Sequence, residues 1–168
     1  MPQSNALPSA TPSAVSPWPA TLGPTMTEVA AELDSRRPQK AMELLRRSDL
    51  NSPWVANAMG VCQLRLGQTQ AAVDTFRRLA VADHLTLRSD APATFKANFA
   101  AALFLSGNAA GGTGALREIS DKEHPAVKRL QQEVKRWQAS LPLLQRINWF
   151  FGGEPSTVFA MENPGDLR

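Results

Sequence analysis

The stretch Ser106-Gly-Asn-Ala-Ala-Gly-Gly-Thr-Gly114 has the glycine density of a phosphate-binding loop. Such a loop cradles an anion in backbone N–H groups and sends a lysine to the outer phosphates. Gly107 and Gly112 have the required separation, but Thr113 stands where the lysine belongs. The alternating-glycine pattern for dinucleotides also breaks, because Arg117 occupies the last glycine position. The segment follows an apolar helical run and not a strand. It reads as the weakened start of a helix, and no cofactor is expected.

Metal binding needs His, Cys, Asp or Glu in close groups. His84 falls in a loop, His124 precedes a proline and Cys62 lies on an apolar stripe, so no ligand spacing exists and no metal is expected. Nucleophilic catalysis would need Cys62 beside a histidine with an orienting carboxylate. The sequence leaves His84 free to approach it, but apolar surroundings oppose thiolate formation. Cys62 reads as a small buried hydrophobe, no catalytic residue is assigned, and the chain is not expected to be an enzyme.

Composition agrees with a binding or structural protein. Hydrophobic residues make up 43% and charged residues 20% of the chain, ordinary values for a globular domain. Eighteen basic against fifteen acidic residues leave a net charge of +3, with no clustering of the kind nucleic acid requires. One cysteine suits a reducing compartment. No apolar run of signal-peptide length precedes Arg36, and none anywhere approaches the length of a membrane span. The expectation is a soluble, cytoplasmic protein that binds no nucleic acid.

The elements come in pairs. Residues 1–25 hold Pro2, Pro8, Pro12, Pro17, Pro19 and Pro24 and no charge, so a disordered tail is expected. A helix capped by Thr25 or Thr27 buries Met26, Val29, Ala30 and Leu33, and Pro38 ends it. A second helix over 39–47 buries Ala41, Leu44 and Leu45. Ser52 and Pro53 open the next pair, which carries Met59, Cys62 and Leu66, then Ala72, Phe76, Leu79 and Ala80, with Gly67 at the corner. Residues 83–92 read as a loop. The helix over 94–106 is apolar on most sides, Gly107 ends it, and its partner over 109–119 starts frayed at Gly111, Gly112 and Gly114. A long helix over 126–140 continues, kinked at Pro142, to Phe151, and residues 152–168 form an irregular tail.

The middle pair resembles a tetratricopeptide repeat. That family's 34-residue pattern runs Trp-x2-Leu-Gly-x2-Tyr, Ala-x3-Phe, Pro. Met59-Gly60 stands for Leu-Gly, Ala72-x3-Phe76 matches outright, and Gly67 lies at the turn. Ala56 and Gln63 replace the aromatic residues, and no proline closes the unit near His84. Ala41-x3-Leu45 echoes Ala72-x3-Phe76 at an offset of 31 residues, and Gly107 echoes Gly67 at 40. The resemblance covers about residues 26–120. It implies an all-α domain over 26–151, a right-handed stack of about three helix–turn–helix hairpins closed by a longer C-terminal capping helix (about 124–151). Gly60, Gly67, Ala72, Phe76 and Gly107 would define the repeats.

By that resemblance, the first helix of each hairpin lines a concave face that binds a protein or peptide. The side chains left off the core stripes there are Asn57, Val61 and Arg65 on one helix and Asn98, Ala101 and Leu105 on the next. Asparagine can hold a peptide backbone through donor and acceptor together, and arginine can hold a carboxylate. In competition, Asn57 and Asn98 bond only neighbouring helices. A non-enzymatic adaptor module is the leading expectation. One alternative is a membrane-surface protein anchored by helix 126–151, where Lys128, Arg129, Lys135, Arg136 and Arg146 accompany Trp137, Trp149, Phe150 and Phe151. Another is a self-associating protein with a coiled-coil seam from Val127 to Leu144. Sequence leaves homo-oligomerisation open.

Leu103, Phe104, Leu116 and Ile119 make a greasy final hairpin that an open array must cover. Val127, Leu130, Val134 and Trp137 would cover it, with Lys128, Arg129, Gln132, Lys135 and Arg136 in water. Burying four such side chains contributes about 1.5–3 kcal/mol each, against total domain stability of about 5–15 kcal/mol. Truncation after Ser120 is expected to give aggregated or unfolded protein. A truncated chain that stays monomeric with an unchanged melting temperature means that 126–140 is no cap.

Overall fold

The computed structural model describes residues 18–48, 52–83, 86–153 and 155–168. The described residues are mostly helical, in the order α1 (Gly23–Asp34), α2 (Pro38–Arg46), α3 (Pro53–Arg65), α4 (Thr69–Ala80), β1 (Val81–Asp83), β2 (Thr86–Leu87), α5 (Ala93–Leu105), α6 (Ala109–Glu118), α7 (Pro125–Ser140) and α8 (Leu143–Phe150). Proline starts many of them: Pro24, Pro38, Pro53 and Pro125 lie in first turns, where a missing N–H costs nothing. Each helix from α1 to α5 packs on the next, and α7 packs on α5.

Three helix pairs turn through the same hydrogen bonds. In α3–α4 the N–H groups of Gly67 and Gln68 reach the carbonyls of Leu64 and Gln63. In α5–α6, Gly107 and Asn108 reach Phe104 and Leu103, and in α1–α2, Arg36 and Arg37 reach Leu33 and Glu32. This is the two-bond closure of a helix end on a left-handed residue. Gly67 and Gly107 take φ of +73° and +89°, whereas Arg36 occupies the equivalent place with a side chain at +56°. That substitution hides the first turn from a search for glycine.

Bare backbone receives aromatic rings at two places. A Cβ added to Gly60 would lie 2.5 Å from the Phe76 ring, and one at Gly112 would lie 2.6 Å from Phe104. In α3–α4 the glycine is on the first helix and the ring on the second; in α5–α6 the order is reversed. Where the tetratricopeptide pattern has tyrosine, Gln63 instead accepts a hydrogen bond from the Thr75 hydroxyl of α4 at 2.9 Å.

Several expectations change. The N-terminal segment expected to be disordered over 1–25 lies outside the described residues only as far as residue 17. Ala20–Leu22 forms a 3-10 turn and α1 begins at Gly23, because Pro24 fits its first turn. Thr27 is no cap: its hydroxyl donates back to the Gly23 carbonyl at 2.8 Å. An antiparallel ribbon pairs Val81 with Leu87 and Asp83 with Thr86, so strand residues enter the loop expected over 83–92. Helix α6 starts firmly, because the Asn108 side chain accepts the Gly111 N–H at 2.7 Å. Leu141 is extended, so 126–151 is two helices and not one kinked helix.

Val127, Leu130, Val134 and Trp137 are buried, with the Trp137 and Phe104 rings edge to face at 6.1 Å. A coiled-coil seam through Val127, Leu130, Val134 and Leu141 is therefore spent inside the chain, while Leu144 is 80% exposed. The described residues after Phe151 form no helix or strand, but they are not loose. Phe159 is 3% exposed, 5.1 Å from Phe104 and 5.7 Å from Trp137 between ring centroids.

The ring contacts set a test. Gly60→Ala and Gly112→Ala each gain helix propensity of about 1 kcal/mol but force a methyl into a buried ring, costing about 1–3 kcal/mol. Gly114 has nothing within 4 Å of an added Cβ, so Gly114→Ala should stabilise by up to about 1 kcal/mol. Urea midpoints that fall for the first two variants and rise for the third are expected; a uniform rise overturns the packing role of Gly60 and Gly112.

Candidate functional site

Asn57, Val61 and Arg65 are spaced at steps of four along α3, and so share one face of that helix. Asn98, Ala101 and Leu105 do the same on α5 at steps of three and four. The two helices lie against each other and both pack on α4. Asn98 Nδ2 donates to Asn57 Oδ1 at 2.8 Å, so the two asparagines act as one unit. Both are buried, Asn57 completely.

What they hold is the chain's own C-terminal segment. Asn98 Nδ2 also donates to the Asp166 carbonyl at 2.7 Å, and Asn98 Oδ1 accepts the Asp166 N–H at 2.8 Å. Asn57 Nδ2 donates to the same carbonyl at 3.2 Å. Arg65 Nε donates to the Pro164 carbonyl at 3.3 Å, while its Nη1 is fixed by the Leu33 carbonyl of α1 at 2.9 Å. Arg129 of α7 donates to the Gly165 carbonyl at 3.3 Å and pairs with the Asp166 carboxylate at 2.9 Å. Gly165 lies over Val61: an added Cβ would sit 3.0 Å from a Val61 methyl.

The residues singled out from sequence thus divide. Asn57, Val61, Arg65 and Asn98 converge on residues 164–166. Ala101 is buried and Leu105 half-buried further along α5, and neither supplies a polar group. Arg129, expected in water, is half-buried and binds the segment. The stripe that buries Val127 and Leu130 turns Arg129 towards the Gly165 carbonyl and the Asp166 carboxylate, a consequence of where α7 docks. In the irregular tail expected over 152–168, the apolar residues Phe159, Met161 and Leu167 are the signal of burial.

The electrostatics follow from partial burial. Burial lowers the proton affinity of the Arg65 guanidinium, Asp34 opposes this, and the Arg129 cation adds to it. Burial pushes the Asp166 carboxyl above its ordinary range, with Arg129, Arg65 and His124 pulling the other way. The ion pair at 2.9 Å is real in geometry, yet desolvation outweighs it. Seating Asp166 is therefore most favourable below the free carboxyl range, and that contribution is lost as pH rises through the raised value.

Cys62, beside Val61, is fully buried, and burial pushes its thiol up to about 12. A group this shielded is no nucleophile at neutral pH. His84 lies outside the described residues. His124 Nδ1 instead accepts the Ala126 N–H at 3.3 Å, which occupies it as a helix cap. Among the described residues no group of three or more His, Cys, Asp or Glu is placed to hold a metal ion.

A raised thiol pKa gives stability that is present below the unfolded value, near 9.0, and lost as pH rises towards 12. The slope in that window should reach about 1.4 kcal/mol per pH unit. The chain has no tyrosine to obscure it. Urea unfolding at several alkaline pH values should show a steeper decline for the natural chain than for Cys62→Ala; parallel curves overturn the assignment.

No family model, curated protein or solved structure gives a significant match to this chain.

Proposed function

We propose that this chain is a tetratricopeptide-like, non-enzymatic interaction module that binds an extended protein or peptide segment on the face formed by α3 and α5. One observation carries the reading: Asn57 and Asn98 together hold both the main-chain N–H and the main-chain carbonyl of one residue, Asp166. Paired carboxamides satisfy a backbone without regard to its side chain, which is what a receptor for extended segments needs. Support also comes from the left-handed turns and the ring-on-glycine contacts of successive hairpins, which suit a right-handed repeat stack with a concave side. The lone buried cysteine favours a cytoplasmic setting for such an adaptor.

A second reading rests on α8. Leu143, Leu144 and Phe151 are 71%, 80% and 80% exposed, and from Lys135 to Gly153 the sequence has no acidic residue. That face, with Lys135 and Arg146 nearby, suits an anionic lipid surface in addition to the peptide site. Among the described residues no helix is long and apolar enough to cross a membrane. Salt-sensitive co-sedimentation with anionic vesicles, lost in Leu144→Ser/Phe151→Ser, would support contact; no sedimentation at low salt removes it.

The peptide reading is tested by screening a random peptide library against the chain ending at Glu162, which removes residues 163–168 but keeps Phe159. Peptides that bind it should lose at least about tenfold in affinity, about 1.4 kcal/mol, on Asn57→Ala/Asn98→Ala. Thermal melts confirm that the variant is folded. A library that yields no binder, or binders indifferent to both asparagines, sinks the reading.

A further inference from the structure

The segment in the site is held as a ligand would be. Three consecutive carbonyls, of Pro164, Gly165 and Asp166, accept from side chains of α3, α5 and α7, and the Asp166 N–H donates to α5. Irregular chain that merely covered a core would bury side chains; here the main chain is gripped.

Two positions restrict what else can lie there. Gly165 adopts φ of +83°, in the left-handed region, and a Cβ would press on Val61, itself fully buried in α3. Glycine is thus required both for its backbone and for its missing side chain. Asp166 comes next, with its carboxylate on Arg129 and in the field of Arg65. Those guanidiniums repel one another, so a basic residue there would add a third cation, whereas an acid pairs with Arg129 at 2.9 Å.

The segment is also placed to come and go. Phe159 is locked among Phe104 and Trp137, and residues 160–162 separate it from the gripped stretch. The ion pair Arg36–Glu162 in that link has both side chains more than 70% exposed and holds little. A short tether presents residues 163–168 at an effective concentration on the order of millimolar. Beside it a cleft of about 750 Å3 stays open, bounded by Trp18, Asp34, Arg65 and Arg129. Arg129 Nε–H has no partner among the described residues. Among the described residues the tail leaves this room unfilled.

We propose that residues 163–168 are a tethered, displaceable stand-in for the natural ligand, and that this ligand is an extended protein segment in which a glycine is followed directly by an acidic residue. The proposal rests on the peptide-binding reading above. A partner must compete with the tail, so the full chain is a weak receptor until the tail lifts.

Isothermal titration with an end-blocked peptide of residues 163–168 tests it. The peptide should bind the chain ending at Glu162 at least about tenfold more tightly than it binds the full chain. Gly165→Ala and Asp166→Lys in the peptide should each weaken binding at least about tenfold. Equal affinity for both chains overturns tethered occupancy, and indifference to either substitution overturns the Gly-acid preference. Should the peptide fail while library peptides bind the shortened chain, this inference falls and the peptide-binding reading stands; if neither binds, both fall. Light scattering that finds a dimer for the full chain and a monomer for the shortened one assigns the tail to a second copy and also overturns it. If the shortened chain does not fold, the full-length Asp166→Lys chain replaces it, and newly gained peptide binding is the expected result.

Discussion

A buried carboxamide has two donors and an acceptor to satisfy, and Asn98 satisfies all three within the chain. Its two N–H groups go to Asn57 and to the Asp166 carbonyl, and its oxygen takes the Asp166 N–H. Each such bond contributes only about 0.5–1.5 kcal/mol, but a buried polar group without a partner costs about 1–3 kcal/mol. Asparagines at these two points of α3 and α5 therefore demand that something polar lie across them. The path of the C-terminal segment follows from that demand.

The two asparagines meet at 2.8 Å only because the helices carrying them are held rigidly. Helix α4 backs both α3 and α5, and Phe76 lies directly on the bare backbone of Gly60. On the far side Phe104 lies on Gly112, so α5 is pinned through α6 as well. Interiors packed at crystal density transmit such constraints, since no slack remains to absorb a shift. The polar pair is thus positioned by apolar contacts a turn or more away from it. Helix α7 completes the site from a third direction: its buried stripe docks on α5 and the same docking aims Arg129 at Gly165 and Asp166.

Much of this was legible in the residues. Gly60 inside a helix signalled a close neighbour because a glycine there is costly without one, and the Phe76 ring is that neighbour. Gly67 and Gly107 marked turns because only glycine takes a left-handed conformation without strain. The first turn was harder to read, since Arg36 takes the same conformation there. The asparagines stood out as polar side chains on faces left over from apolar stripes, a matter of helical period alone. Residues 164–166 escaped because a main-chain ligand has no side-chain pattern. Pro164 and Gly165 read as ordinary loop punctuation.

Local sequence by itself determined the helices, their turns and which face of each is buried, because these depend on backbone conformation and on a period of 3.6 residues. Tertiary structure alone decided that Asn57, Arg65, Asn98 and Arg129 form one site. Arg129 lies 64 residues from Arg65 in the chain, and their common orientation depends on how α7 docks on α5. Tertiary structure also decided what fills that site. Hydrogen bonds to main chain are the same for any residue but proline, so composition could not say which segment would take them. The answer came from geometry: a glycine able to lie against Val61 and an acid able to reach Arg129, both carried back by Phe159 anchored in the core.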